Sequence, residues 1–518
     1  MHSCNLINGN IITLNHDFPV ANSLAIENGK IISINQTISK FKTFNLKGAT
    51  VIPGFIDAHF HLKNYGKRLE QVDLKGVKSL KEIHDILLEK IFHINDNEWI
   101  LGFGWDQNLW DDVQFPPNDF LNNIAPKNPI YLTRIDGHSA WVNQQAITRT
   151  KKNISQLNNV EGGQVINDCI MIDNSMNSFK SCLPKEEISQ IKKWILSGAN
   201  NAKKMGITGV HDAWQDRKTI NAIKELVLDK KFPIRCYGML ASNDDQLLSD
   251  YFSSGHYNDE YLTIRSVKAF VDGALGSRGA ALHEPYCDDL NNCGLILISN
   301  EKFSWLAKKC FENNFQLNTH AIGDRGNQYA LNHYGSVLNI DNNKRWRIEH
   351  AQMVSDDDVI RFKKYNILPS MQPSHCTSDM AWLPERIGDN RLKLISRWKT
   401  FIDAGLKIPG GSDCPIETGN PLFEFYAAIT RKNHQGYPDG GFQPQEKINR
   451  INALKMFTSW AAYGGFDEHK RGKIEIGYDA DLTILDNNIL SIDSQKILEI
   501  KILYTIINGN INNDINNI

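Results

Sequence analysis

The sequence has no Cys-x-x-Cys pair, and its nine cysteines are odd in number and irregularly spaced, Cys287 and Cys293 being the closest two. A disulfide framework and a cysteine zinc module are therefore not expected, and reduced thiols in a cytoplasm are. No run approaches 18 apolar residues, so no membrane-spanning helix is expected. The opening Met-His-Ser-Cys-Asn has no basic stretch followed by an apolar one, the pattern of a secretory signal. Charge of one sign is also missing: 57 Lys and Arg face 59 Asp and Glu, a formal net charge of -2. That balance sets up no field that would collect nucleic acid or an anionic membrane. What remains is a soluble globular composition, 41% hydrophobic and 22% charged over 518 residues, with 16 histidines as the richest source of chemistry.

The two ends of the chain read as β-structure. Asn8-Gly9 and Asn28-Gly29 each stand between short apolar runs, a hairpin signal, and the runs 482–485 and 503–507 repeat the style near the C-terminus. Neither end has enough strands for a stable sheet alone. The expectation is one small β-sandwich domain built from residues 1–52 and 461–518, with 53–460 inserted between them.

The middle alternates strand-like runs with helical periodicity, the signature of a parallel α/β sheet. A helix opens on the capping box Ser79-Leu-Lys-Glu82, and another runs from Pro184 towards Gly206. Strands are predicted at 52–58, 207–212, 233–240, 262–271, 315–320, 346–350, 367–372 and 407–412. Eight such units predict a TIM (β/α)8 barrel, a fold that accepts insertions to more than ~400 residues. Residues 64–185 then form a lid-like insertion after the first strand. In the alternative register, the runs 99–104 and 130–135 join the barrel.

The histidines fall in a pattern. In Val51-Ile-Pro-Gly-Phe-Ile-Asp-Ala-His-Phe-His61, residues two apart share a face, so Asp57, His59 and His61 point one way. Later strands end at His320, His350 and Asp413. Each alone is more often a structural polar residue than a ligand. Together they place four imidazoles and a carboxylate at the strand ends where barrel enzymes work, a donor set suited to zinc and similar divalent ions.

These motifs resemble the amidohydrolase superfamily of metal-dependent hydrolases, and within it the amidohydrolase family 3 group of YtcJ-like proteins and N-substituted formamide deformylase. The resemblance spans nearly the whole chain. It rests on Pro53-Gly-Phe-Ile-Asp-Ala-His-Phe-His61, Val267-Lys-Ala-Phe-Val-Asp-Gly-Ala-Leu-Gly-Ser-Arg278, Thr319-His-Ala-Ile-Gly-Asp324, Arg347-Ile-Glu-His-Ala351, Gly411-Ser-Asp413 and Gly472–Leu482. It implies that His59 and His61 hold a more buried metal ion and His320 and His350 a more exposed one, with two zinc ions per chain. It implies a carboxylated Lys268 bridging them, and Asp413 as both a metal contact and the group that moves the proton. A single-metal version stays open. The activity implied is hydrolysis of a linear C–N bond in a small amide or formamide, and the assembly a homodimer.

Secondary candidates for substrate contact are Trp105 in Phe103-Gly-Trp-Asp106, His138, the strand-terminal His211, and Asp272 and Arg278 of the glycine-rich run, which lacks the Gly-Lys-Ser/Thr ending of a phosphate loop. Asp324 and Arg325 could steady His320, and His375 is a weaker candidate after the seventh strand. Trp110 and Trp141 add to an aromatic bias near the expected mouth. The competing readings are a cyclic amidohydrolase or a deaminase of the same superfamily, the latter disfavoured by Lys268, and a non-catalytic barrel scaffold.

Overall fold

The computed structural model describes residues 3–110, 114–135, 137–340 and 342–510; the extreme ends of the expected β-domain, 1–2 and 511–518, lie outside them. The chain divides into two compact units, Met1–Tyr65 with Ile195–Ile518, and Gly66–Trp194.

The larger unit holds the barrel. Its parallel strands are β1 (Phe55–Phe60), β2 (Ile207–Gln215), β3 (Arg235–Ala241), β4 (Leu262–Phe270), β5 (Gln316–Ala321), β6 (Arg347–His350) and β7 (Leu368–Ser370), paired in chain order. The run expected as an eighth strand is not one. Residues 408–414 contain Pro409, Gly410 and Gly411, which cannot sustain a regular ladder. They close the barrel through single bridges instead, Met371 with Gly410 on one side and Phe60 with Cys414 on the other. Outside the barrel lie helices such as Arg217–Leu228, Asn300–Glu312 and Asp324–Val337, each burying one apolar face.

Two further sheets of this unit are built from the chain ends. One orders Lys30–Ile34, Leu24–Glu27, Cys4–Ile7 and Lys42–Asn45; the other orders Ile502–Ile506, Leu482–Leu485, Thr50–Pro53, Asn10–Ile12 and Val20–Ala21. Leu482–Leu485 runs antiparallel to Thr50–Pro53, so residues more than four hundred positions apart share a ladder. Leu6, Leu24, Ile26, Ile31, Val51, Leu482 and Ile484 form a common core. Asn28-Gly29 makes the expected tight hairpin, both residues at positive φ and Glu27 opposite Lys30. Asn8-Gly9 does not: it hands the chain from one sheet to the other.

In the smaller unit, a six-stranded sheet orders Gly163–Ile166, Ile170–Asp173, Ser139–Val142, Ile130–Arg134, Ile100–Trp105 and Val72–Asp73. The runs 99–104 and 130–135 therefore belong here and not to the barrel. The helix Leu80–Phe92 starts at Ser79, whose hydroxyl accepts from the Glu82 N–H as its capping pattern predicts. Among the described residues, no helix is long and apolar enough to cross a membrane.

A buried ion pair fastens the C-terminal segment to the barrel. Arg235 of β3 places Nε 3.0 Å and Nη2 3.1 Å from the two Asp481 oxygens, one of which also accepts from the Asn508 N–H. Removing one partner of a buried pair strands the other charge, at a cost of about 3–5 kcal/mol. Asp481→Ala is expected to lower unfolding stability by that amount in chemical denaturation, against less than about 1 kcal/mol for the exposed Asp96→Ala.

Candidate functional site

Barrel closure creates the site. The Ala58 N–H donates to Gly410 O at 2.9 Å, Asp413 N–H to His59 O at 2.7 Å, and His61 N–H to Cys414 O at 2.9 Å. Asp57 locks this seam: its carboxylate accepts from the Ser412 hydroxyl at 2.6 Å, the Ser412 N–H at 3.1 Å and the His59 N–H at 3.0 Å. Burial pushes the Asp57 carboxyl up to about 7, against those hydrogen bonds. Gly411 allows the approach, since a Cβ there would lie 2.4 Å from the His59 nitrogen.

The seam delivers Asp413 to the histidines. Its Oδ1 lies 2.9 Å from His61 Nε2 and 3.4 Å from His59 Nε2. Donor atoms of His59, His350 and Asp413 all lie within 4.8 Å of one another. His320 joins through its ring, 4.5 Å from that of His350. Lys268 of β4 is fully buried, its Nζ 3.2 Å from His59 Nε2. All six side chains line one cavity of about 460 Å³.

Three of the four imidazoles are aimed by their other nitrogen, while His320 has its Nε2 3.4 Å from Gly273 O. His59 Nδ1 is held in a short contact with Glu349, His61 Nδ1–H donates to Ala213 O at 2.9 Å, and His350 Nδ1–H donates to Gln372 Oε1 at 2.8 Å. Those bonds leave Nε2 of three rings for the cavity. His350 and Asp413 both adopt positive φ, 71° and 57°, a conformation uncommon outside glycine that is held here by the surrounding bonds.

Burial favours neutral imidazoles. It pulls His59 down to about 4 and His320 to about 3, each helped by the Lys268 charge, and takes His350 well below its usual value, helped by His320. His61 alone is raised: burial opposes protonation, but the bond to Asp413 outweighs it. Burial brings the Lys268 amine down to about 8, with Glu349 and Asp413 acting against the shift. Asp413 is held well below the carboxylate range, the adjacent His59 and His61 overcoming the cost of burial.

Beneath the histidines lies a charged layer that the sequence did not single out. Arg347 and Glu349 are both fully buried, with Nε and Oε1 2.7 Å apart. Arg347 also donates to Ala58 O, to Ser370 Oγ at 2.7 Å and towards His211 Nδ1 at 2.9 Å. The available signal was two charges at alternate positions in an otherwise strand-like run, Arg347-Ile-Glu349.

The secondary candidates fall elsewhere. His211 does not line the cavity; it packs against Arg347, and burial with the Arg347 charge takes it well below its usual pKa. Asp272 is buried and accepts N–H bonds from Ala281, Ile322 and Gly323, each at 2.9 Å, so it orders a loop and is not among the residues that line the cavity. Its Oδ1 is 3.7 Å from His320 Nε2. Arg278 pairs with Asp288 near the surface, a charge-matched partner ten residues on. Asp324 caps nearby backbone at His283, and Arg325 donates to Cys293 O and Gly294 O, so neither bonds His320. Trp105 is fully buried in the smaller unit's core against Trp110 and Trp141, its Nε1–H donating to Leu132 O; an apolar ring with a satisfied polar tip serves packing there. His138 is an exposed residue of that unit, 3.0 Å from Asp173. His375, Gln352, Asp379, Trp382, Ile416 and Glu417 do line the cavity.

Fold and site together define a barrel enzyme whose working groups sit at the C-terminal strand ends. A model of the amidohydrolase family matches residues 42–512, and the chain belongs to that family of hydrolases. It is similar to protein LONG AFTER FAR-RED 3 of Arabidopsis thaliana, 30% identical over 511 residues that span 93% of this chain and 86% of that protein. It is also similar to N-substituted formamide deformylase of Arthrobacter pascens, 22% identical over 537 residues and 98% of each. Among solved structures, an uncharacterized metal-dependent hydrolase from Pyrococcus furiosus matches with a TM-score of 0.79 and 27% identity, covering 94% of this chain and all of that one.

Glu349 is the partner that fixes the His59 ring. Loss of such a partner costs about 10–100-fold in metal affinity. Glu349→Gln is expected to show that drop in divalent-metal binding measured by chelator competition, with the circular dichroism of the fold retained.

Proposed function

We propose that the chain is a divalent-metal hydrolase of a linear C–N bond in a small N-acyl or N-formyl amine. The observation that carries the reading is the convergence of Asp413, Lys268 and four imidazoles, three of them held neutral by burial, on one cavity. The donor set fits a metal: nitrogen and carboxylate ligands suit zinc, and three rings turn Nε2 inward while Nδ1 is bonded behind. In this reading His59 and His61 would hold one zinc ion and His320 and His350 a second, and Lys268 and Asp413 would complete the ligand set. Bound cations would supply Lewis acidity towards the carbonyl oxygen and lower the pKa of water.

The chain's own residues do the rest. Asp413, held anionic, takes a proton from the attacking water at a carboxylate oxygen and later gives it to the leaving nitrogen. Lys268 carries a carbamate in this reading. An amine held near 8 is partly neutral at pH 7, the form that adds carbon dioxide, and the product is an anion beside the histidines. Phe270, Leu275, Ile322 and Trp382 give the cavity an apolar wall that suits an N-substituent. The similarity to a formamide deformylase supports the bond type, and the net charge of -2 fits a small-molecule partner rather than nucleic acid or membrane.

Metal analysis and a panel of formamides, linear amides and cyclic imides test this. Turnover of a formamide or linear amide to carboxylate and amine is expected, with Asp413→Asn lowering kcat about 10²–10⁴-fold. Lys268→Ala is expected to lose bound metal. Ammonia as the product would indicate a deaminase, and a metal-loaded protein inert to the whole panel would reject the bond assignment.

A further inference from the structure

One cavity-facing group has no role in the proposed hydrolysis. The short helix Pro373–Asp379 comes after β7, and its position is set from behind by Glu424, whose carboxylate accepts from the Ser374 N–H at 2.9 Å. The helix presents His375 to the cavity. The ring lies nearly parallel to that of His350, at 12° and 5.8 Å between centroids. Its Nε2 is buried and has no hydrogen-bond partner among the described residues. The nearest charged oxygen is Asp413 Oδ2, 3.8 Å away and beyond hydrogen-bond reach. A carboxylate only accepts, so a lone pair on Nε2 facing it would be repelled, and the hydrogen belongs on Nε2. Two neighbouring donors at this wall are engaged: Gln352 gives its amide to Asp379 at 2.7 Å, and His350 Nδ1 is turned back to Gln372.

We propose that His375 is a further catalytic residue, whose Nε2–H donates to the substrate oxygen that becomes negative when water adds to the carbonyl. The inference rests on the hydrolase reading. In the addition, the water oxygen bonds the carbonyl carbon, its proton goes to Asp413, and the C=O electron pair moves onto oxygen, where His375 meets it. When that pair returns, the C–N bond breaks, its electrons stay on nitrogen, and nitrogen takes the proton from Asp413. His375 keeps its own proton throughout. Position supports the assignment: Nε2 and the proton-carrying carboxylate face the same space, so an atom bonded by one is within reach of the other. A fixed donor that no protein acceptor engages among the described residues, and that meets the developing charge of the transition state, favours the transition state selectively.

The test uses the metal-loaded full chain with His375→Ala and His375→Gln. Metal content, kcat and KM are measured on the best formamide or amide of the panel, and the Kd of a phosphonate mimic of the tetrahedral species by calorimetry. For His375→Ala we expect kcat to fall about 10²–10³-fold, with KM changed less than about threefold and metal content unchanged. The phosphonate should bind at least about tenfold more weakly, and His375→Gln, which keeps an N–H at similar reach, should recover part of both losses. A kcat within about threefold of the unaltered protein would overturn the proposal and leave His375 as packing for His350. Metal lost in step with activity would overturn it in favour of a ligand role, and a glutamine variant no better than alanine would overturn it as well. If the unaltered protein turns over nothing, the proposed function fails by itself, and the phosphonate comparison then decides the role of His375 alone.

Discussion

The seam between the first and last staves of the barrel is the constraint on which the site depends. Asp413 reaches His59 and His61 only because the segment 408–414, lacking a regular ladder, is pinned by three backbone bonds to β1 and by Asp57 to Ser412. Side chains alternate along a strand, so a slip of one residue would turn Asp413 away from the histidines. Folding and assembly of the site are thus one event: the barrel cannot close in register without bringing together residues some 350 positions apart. The strain at Asp413, in the left-handed region, is local and is held by the same bonds.

Below the seam, an expensive feature serves geometry more than stability. Arg347 and Glu349 are buried completely, and a buried pair is weak evidence of net stabilisation. Their many partners explain how the charges are tolerated: Ala58 O, Ser370 Oγ and His211 share Arg347, while His59 shares Glu349. Glu349 is kept anionic despite burial, with Arg347 and His59 both lowering its pKa. The result is a fixed ring orientation for His59, with Nε2 left to the cavity. His211, expected near substrate, belongs to this supporting layer.

The parts of the site legible in the sequence were those where residue type and strand position are both local facts. His-x-His at a strand end, single histidines closing later strands, and the aspartate after Pro409-Gly-Gly needed no partner to be noticed. The partners were not legible, because Glu349, Gln372 and Ala213 come from distant parts of the chain and nothing local says which ring each one meets. The same limit explains the failures. Trp105 and Arg278 sit in motifs that look functional, but a side chain's direction is decided by neighbours elsewhere in the chain: Trp105 by Trp110 and Trp141, Arg278 by Asp288. Asn8-Gly9 carries the turn chemistry of a hairpin and still connects two sheets, since positive φ permits a bend without choosing the next strand. The eighth stave was placed correctly along the chain, although its proline and glycines forbid a strand.

The cavity divides along the same line. Its inner wall consists of the strand-borne groups His59, Lys268, His320 and His350, with His61 directly after β1, and their positions are tied to barrel register. Its outer wall comes from the loops and short helices beyond the strand ends: Leu275 after β4, His375, Asp379 and Trp382 after β7, and Ile416 and Glu417 after the closing stave. Changes in the outer wall leave the seam and the Arg347–Glu349 layer untouched, so one donor set can serve different substrates. His375 stands on the boundary. It belongs to a loop-borne helix, yet its ring stacks on His350 and its free nitrogen faces Asp413. A residue so placed couples whatever the outer wall selects to the chemistry of the inner one, because the bond it makes depends on where the bound carbonyl is set between them.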